Sequence, residues 1–294
     1  MLKRLLTTGL IVLAMTAVAP AQEKGQRTFA TPEEAVAALE QGIQSGNRDG
    51  MPALFGSKAT QLVRKETDPA ILAEFAKAFT EKHSLKAEKN GQQILLIGST
   101  EWPFPVPLKQ RGGQWFFDGQ AGHQEVTHRR IGQHELVTIE VMKAYVMAQR
   151  EYFAEDHDGN GIQEYAQHLL STPGTHNGLY WPVKKGQPNS PLGDLIGKAA
   201  PSGGAYNGYK FKLIKQQGPD ARGGAYNYVI NGHQIAGYAL LAYPAKWGDT
   251  GVMTFIVNQQ GKVFQKNLGP DTARLAPAID TYNPDRSWSA AEKP

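Results

Sequence analysis

Residues 132–154 read GQHELVTIEVMKAYVMAQREYFA. Leu136, Ile139, Met142, Val146 and Phe153 recur there at helical spacing, with Tyr145, Tyr152 and several charges alongside. At 1.5 Å per residue this is about 30 Å of helix, enough to lie across a whole domain. Its two faces differ too much for a membrane span. Downstream the period changes. Tyr209 to Ile214, Tyr226 to Ile230, Ile235 to Ala242 and Val252 to Val257 read as antiparallel strands. The last should pair with Val263 to Gln265 across the turn signal Asn258-Gln259-Gln260-Gly261. One long helix and an antiparallel sheet make this half α+β. Between them lie an acidic loop, a short helix expected around Tyr165 to Leu170, and the turn Ser171-Thr172-Pro173-Gly174. A loop rich in Gly, Pro, Asn and Ser then runs to about Asn207. Gly203-Gly204-Ala205-Tyr206-Asn207 recurs as Gly223-Gly224-Ala225-Tyr226-Asn227, and the two copies read as similar turns.

Upstream, Thr31-Pro32-Glu33-Glu34 has the form of a capping box with Pro at the first helical position. Val36, Leu39 and Ile43 continue the helix until Gly46-Asn47. A second helix follows Asp68-Pro69, with Ile71, Leu72, Phe75 and Phe79 on one face. Ile94 to Ile97 reads as a buried strand, and Trp102 to Pro107 as a proline-rich edge strand. Gly112-Gly113 turns the chain into Trp115-Phe116-Phe117. Helices followed by a short antiparallel sheet resemble the small cone-shaped cystatin-like or transport-factor-like folds. The expected organisation is therefore a leader at 1–21, an α+β domain at 22–122 and a long-helix-plus-sheet domain at 123–294.

The leader rests on Met1-Leu2-Lys3-Arg4, an apolar stretch from Leu5 to Val18, and Ala19-Pro20-Ala21 before Gln22. That is the pattern of a secretory signal peptide cleaved after Ala21, which implies a periplasmic or secreted protein. The chain has 294 residues and no cysteine, so disulfides, thiolate metal sites and thiol nucleophiles are excluded. Its net charge of +4 falls to about +2 without Lys3 and Arg4, and no basic run points to nucleic acid. No later stretch is long and apolar enough to span a membrane.

The strongest local constellation is Asp156-His157-Asp158-Gly159-Asn160-Gly161-Ile162-Gln163-Glu164. Asp156, Asp158 and Asn160, the Ile162 carbonyl and Glu164 stand at positions one, three, five, seven and nine of a calcium loop, with Gly161 at six. Gln167 replaces the bidentate Glu of position twelve. The other reading is an Asx-turn loop that caps without metal. His134-Glu135 begins like a zincin helix, but Thr138 stands where the second His is needed, which leaves an ordinary helical Glu. His123 and His128, with Glu125 between them, could share a metal only if the segment folds suitably. Gly193 to Ala199 mimics a phosphate loop but is a residue short. No G-x-S-x-G or S-x-x-K is present. Arg129 and Arg130 suit either an anion or ion pairs with Glu125 and Glu135. Trp102, Trp115, Tyr180, Trp181, Tyr243 and Trp247 either line a groove for a glycan or peptide or pin loops to the core.

Four stretches carry a family resemblance: Glu101-Trp102-Pro103-Phe104-Pro105, Arg129-Arg130-Ile131-Gly132, Asn177-Gly178-Leu179-Tyr180-Trp181-Pro182 and Gly251 to Asn258. They resemble domain-of-unknown-function family 2950, a set of exported proteins, across nearly the whole mature chain. The family implies a compartment and a fold pattern and carries over no catalytic residues. "GYKFKL" and "YALLAYPAKWGDTGVMTFIVNQQGKVF", after a long helix, are similar to the globular heads of type IV pilins and pseudopilins. A prepilin fuses its membrane segment directly to that helix, whereas here a domain intervenes. The expected function is a non-enzymatic structural, assembly or binding protein of the cell envelope, partnered by an envelope protein or a glycan. The alternatives are a periplasmic hydrolase using Asp156, Asp158, Glu164 or the histidines at the domain junction, and a small-molecule or glycan binder using the first domain's cone.

Overall fold

A computed structural model of the chain describes residues 25–46, 50–56, 69–183, 189–193 and 204–291. The leader, most of the phosphate-loop mimic and Gly203 lie outside the described residues. The protein is mixed α+β with antiparallel sheets, and it divides into two compact units, Met1–Val126 and Thr127–Pro294.

In the first unit, helix α1 (Pro32–Gln44) starts where the sequence says it should. Thr31 Oγ1 accepts from Glu34 N at 3.2 Å, and the Glu34 carboxylate accepts from Ala30 N at 2.9 Å. Two further helices follow, α2 (Met51–Phe55) and α3 (Pro69–Glu81). The sheet comprises β1 (His83–Ala87), β2 (Gln93–Ile97), β3 (Trp102–Pro103), β4 (Leu108–Arg111) and β5 (Gln114–Phe117). It runs β1-β2-β4-β5, with β3 also paired to β2. Val36, Leu39, Leu54, Phe55 and Phe79 from the helices pack on Leu95, Ile97, Leu108 and Phe117. The apolar face expected of α3 is only partly used: Phe79 is buried, while Ile71 is 59% exposed.

The long helix α4 runs from Gly119 to Tyr152, thirteen residues earlier than the periodicity suggests, and the division between the units falls within it. Asp118 caps it, accepting from Ala121 N at 3.0 Å and pairing with Lys109 at 2.7 Å. A bare glycine face at Gly122 meets Val106, whose side chain would lie 2.7 Å from an added β-carbon.

In the second unit, β6 (Tyr209–Ile214), β11 (Ala239–Pro244), β12 (Met253–Asn258), β13 (Phe264–Asn267) and β14 (Ser289–Ala290) form one sheet. Its order is β14-β13-β12-β11-β6. Short ladders, β7 (Gln216–Gln217) with β8 (Tyr226–Asn227) and β9 (Val229–Ile230) with β10 (His233–Gln234), stand beside it. The turn at 258–261 closes as expected, with Gly261 N donating to Asn258 O at 2.9 Å. Both faces of the sheet are covered. Leu240, Ala242, Phe255 and Val257 pack with Met142, Tyr145 and Val146 of α4. On the other face Leu241 and Ile256 pack with Ile214, Tyr228 and Tyr282. Two-sided burial explains why Ala239 to Ala242 is an unbroken apolar run rather than an alternating one.

Three expectations need correction. Leu136 does not join the core stripe of α4 and is 62% exposed, because the buried face runs through Ile139, Met142, Tyr145 and Ala148. Residues 165–170 are not helical. Gln149 holds that segment extended, donating to Ala166 O at 3.0 Å and accepting from Ala166 N at 2.9 Å. The two similar pentapeptides do different work. Asn207 and Gly208, both with positive φ, turn the chain between Tyr206 and Tyr209, whereas Tyr226-Asn227 is strand β8.

Burial holds the phenols of Tyr145, Tyr209, Tyr228 and Tyr282 well above their ordinary value of 10 and pushes Tyr152 up to about 12. In Tyr209 the Glu135 carboxylate adds to the rise. A phenol whose folded pKa is raised stabilises the fold fully below pH 10, and that contribution is lost as pH rises past it. In an alkaline titration followed by phenolate absorbance and circular dichroism, these tyrosines are expected to ionise late and together with unfolding. Titration of all the tyrosines near pH 10 with the fold intact would contradict the burial.

Candidate functional site

Arg130, His134 and Glu135 on α4 converge on the segment that leads into β12. Arg130 pairs with the Asp249 carboxylate and donates to Asp249 O at 3.2 Å. His134 Nδ1 lies 2.8 Å from Thr250 O. Glu135 Oε1 accepts from Val252 N at 2.8 Å and Met253 N at 2.9 Å, with the Tyr209 hydroxyl at 3.4 Å. The partner of Arg130 is thus Asp249, neither Glu125 nor Glu135. Glu135, read in the sequence as an ordinary helical residue, is a structural anchor.

The acidic loop brings three of its five candidate ligands into one turn. Asp156 accepts from Gly159 N at 2.9 Å and Gly161 N at 2.8 Å, one on each oxygen. The bond from Gly161 is the chief reason that its carboxyl titrates below the ordinary value of 3.8. Asp158 accepts from the Asn160 side chain at 2.7 Å, and Asn160 Oδ1 accepts from Ile162 N at 2.7 Å. Glu164 turns elsewhere, accepting from Gln234 N at 3.1 Å and standing 3.3 Å from His233 Nδ1. Gln167 donates to Gly232 O at 2.7 Å. Among the described residues no three His, Asp or Glu side chains gather as a metal site. Nested Asx turns account for the Asp, Asn and Gly spacing.

The remaining candidates disperse. His123 and His128 stand five residues apart on one helix, so their side chains leave it about 140° apart and share no ligand position. His157 stacks on Tyr152 at 4.0 Å and His176 on Trp181 at 4.3 Å. Trp102 meets Phe75 and Phe104, Trp115 bridges Phe29, Tyr180 bridges Leu170, and Trp247 Nε1 donates to Asn267 at 2.9 Å. Each of these aromatics has its own neighbours within its unit.

The sequence offered the first domain's cone as one place for a ligand but not the residues that line a cavity of about 320 Å³ in the first unit. Leu39, Gly42, Ile43 and Gly46 line it from α1 and the turn after it, Met51 and Phe55 from α2, Leu72, Phe75 and Ala76 from α3, and Phe104 from the segment after β3. Every lining side chain is apolar. Phe104 lies 5.9 Å from Phe55 and 6.1 Å from Phe75, so the wall is an aromatic cluster rather than isolated rings. The available signal was Gly42, which leaves the stripe of Leu39 and Ile43 with a gap where a helix-forming residue would fill it.

A family model described as "Protein of unknown function (DUF2950)" matches residues 26–291. The chain belongs to that family. No curated protein and no solved structure matches it, and the expected resemblance of the second unit to pilin heads is not shown. In this DUF2950 protein the signature stretches fall at the places just described. Glu101–Pro105 delivers Phe104 to the cavity, Arg129–Gly132 carries Arg130, and Gly251–Asn258 supplies the N–H groups held by Glu135.

Millimolar calcium is expected to leave the melting temperature little changed, because Gln167 brings no bidentate carboxylate to position twelve and Glu164 is engaged by Gln234 N and His233. Thermal melts in calcium and in chelator test this. A rise in calcium that disappears in Asp156→Ala would establish the loop as a metal site.

Proposed function

We propose that this DUF2950 protein is exported and acts as a non-enzymatic binding or assembly protein of the cell envelope, its first unit taking an apolar ligand. The observation that carries this is the cavity, about 320 Å³ bounded by three helices and closed by the aromatic group Phe55, Phe75 and Phe104. A concave, apolar and largely preformed space is the usual form of a small-molecule site. Its volume is about ten times a water's share of the liquid, ~30 Å³, which suits an alkyl chain or a small aromatic group. A glycan, by contrast, needs hydrogen-bonding side chains that this wall does not offer. Export rests on the Met1–Ala21 leader pattern, which places the protein among envelope lipids and other amphiphiles. Among the described residues no helix is long and apolar enough to cross a membrane.

The test uses the mature chain and a neutral fluorescent naphthylamine that brightens in apolar sites, displaced by decanol. Saturable probe binding is expected. Gly42→Leu should weaken it roughly tenfold or more, about 1.4 kcal/mol. A side chain there enters the cavity and meets the Met51 methyl, 3.2 Å from the new β-carbon. Leu is a better helix former than Gly, so loss of α1 would not explain the result. Unchanged binding in Gly42→Leu, or no saturable binding to the wild type, would overturn the reading.

A further inference from the structure

The apolar cavity has a polar neighbour. A second space of about 270 Å³ in the same unit is lined by Arg27, Gln41, Ser45, Leu54 and, in common with the first, Gly42 and Met51. The Met51 side chain passes over the bare Gly42 backbone, its methyl 3.2 Å from where a β-carbon would stand. A flexible thioether is therefore the boundary that the two spaces share. Resting on the reading above, we infer that the ligand is a single-chain amphiphile with an anionic carboxylate head. Its alkyl chain lies among Phe55, Phe75 and Phe104 and its head meets the Arg27 guanidinium.

Among the described residues, Arg27 is the one charged residue lining the second space. At the end of α1, Gln41 O, Gly42 O and Ile43 O each accept one hydrogen bond, from Ser45 N, Ser45 Oγ and Gly46 N, which partly offsets their negative potential toward an anion. The backbone that carries Arg27 is pinned on both sides. Arg27 N donates to Ala53 O at 2.7 Å, and the buried Gln26 amide donates to Leu54 O at 3.1 Å and Phe117 O at 2.6 Å. The guanidinium itself lies over the Phe29 ring at 5.1 Å. A cation held in place by its backbone and a ring loses little freedom when it meets a carboxylate, and guanidinium matches that group with two parallel donors. An apolar trough with one fixed cation at its end selects on both halves of such a molecule.

Three ten-carbon probes below their micellar concentrations separate the outcomes: decanoate, decanol and decyltrimethylammonium, each displacing the neutral naphthylamine. Decanoate should bind severalfold more tightly than decanol, and the ammonium compound more weakly than either. The preference for decanoate should fall about fivefold in Arg27→Gln, the scale of an exposed ion pair. It should also shrink in high salt while decanol is unaffected. Arg27 is exposed, so the substitution leaves the fold intact, and circular dichroism checks that. If decanoate is no better than decanol, or if Arg27→Gln keeps the preference, the carboxylate assignment is overturned while the apolar site stands. If none of the three displaces the probe, the proposed function falls with it.

Discussion

One carboxylate organises the second unit. Glu135 receives the N–H groups at the entrance to β12 and stands beside the hydroxyl of the residue that opens β6, and these two strands flank β11 on either side. The single Tyr209 proton goes to Met253 O at 2.9 Å, with the Glu135 carboxylate 3.4 Å from the same oxygen, which closes the link between the two strand ends. The approach leaves no room for a β-carbon at two places. One at Gly251 would lie 2.2 Å from the Tyr209 oxygen, and one at Gly208 would lie 2.6 Å from His134 Nδ1. Leaving buried donors without their acceptor costs about 1–3 kcal/mol each, so this contact outweighs most single apolar contacts in the sheet.

The sheet that follows from this grip is sealed. Helix α4 covers one face and the residues around Tyr228 and Tyr282 cover the other, with Ala239 to Ala242 buried throughout. Some polar groups inside it are paired into the backbone, as where Gln149 holds Ala166 and Tyr238 donates to Val146 O at 3.2 Å. A core finished in this way has little concave surface to offer a ligand. The first unit is built on the opposite principle. Its sheet is covered by three short helices, and a glycine faces the interior of one of them at Gly42.

The legible parts of the sequence are those fixed by neighbours. The capping box at Thr31 to Glu34, the turn at Asn258 to Gly261 and the strands at Gln93 to Ile97 and Tyr209 to Ile214 depend on residues within a few positions. Contacts between distant residues were not legible. Glu135 and Val252 are 117 positions apart, and nothing local distinguishes that Glu from a solvated one. Periodicity places Leu136 and Ile71 on apolar stripes, but a stripe states only the phase of a helix and not how wide its partner is. Residues 165–170 carry helix-forming side chains yet lie extended, because Gln149 takes both backbone groups of Ala166. The acidic loop shows the same limit in reverse. Its spacing is shared by metal loops and by nested Asx turns, and only the direction in which Glu164 points separates them.

The cavity follows from an omission in the sequence rather than from a motif. Leu39 and Ile43 bracket Gly42 in α1, and any larger residue there would give better helix propensity. The apolar-walled space of about 320 Å³ is surface that the helices of the unit do not pack against one another. A domain of this size has only about 5–15 kcal/mol in hand. Glycine at position 42 has a packing reason, since the Met51 methyl lies 3.2 Å from where its β-carbon would stand, but the aromatic wall of Phe55, Phe75 and Phe104 faces open space. On the reading proposed above that space holds another molecule, and the guanidinium of Arg27 would give it an orientation.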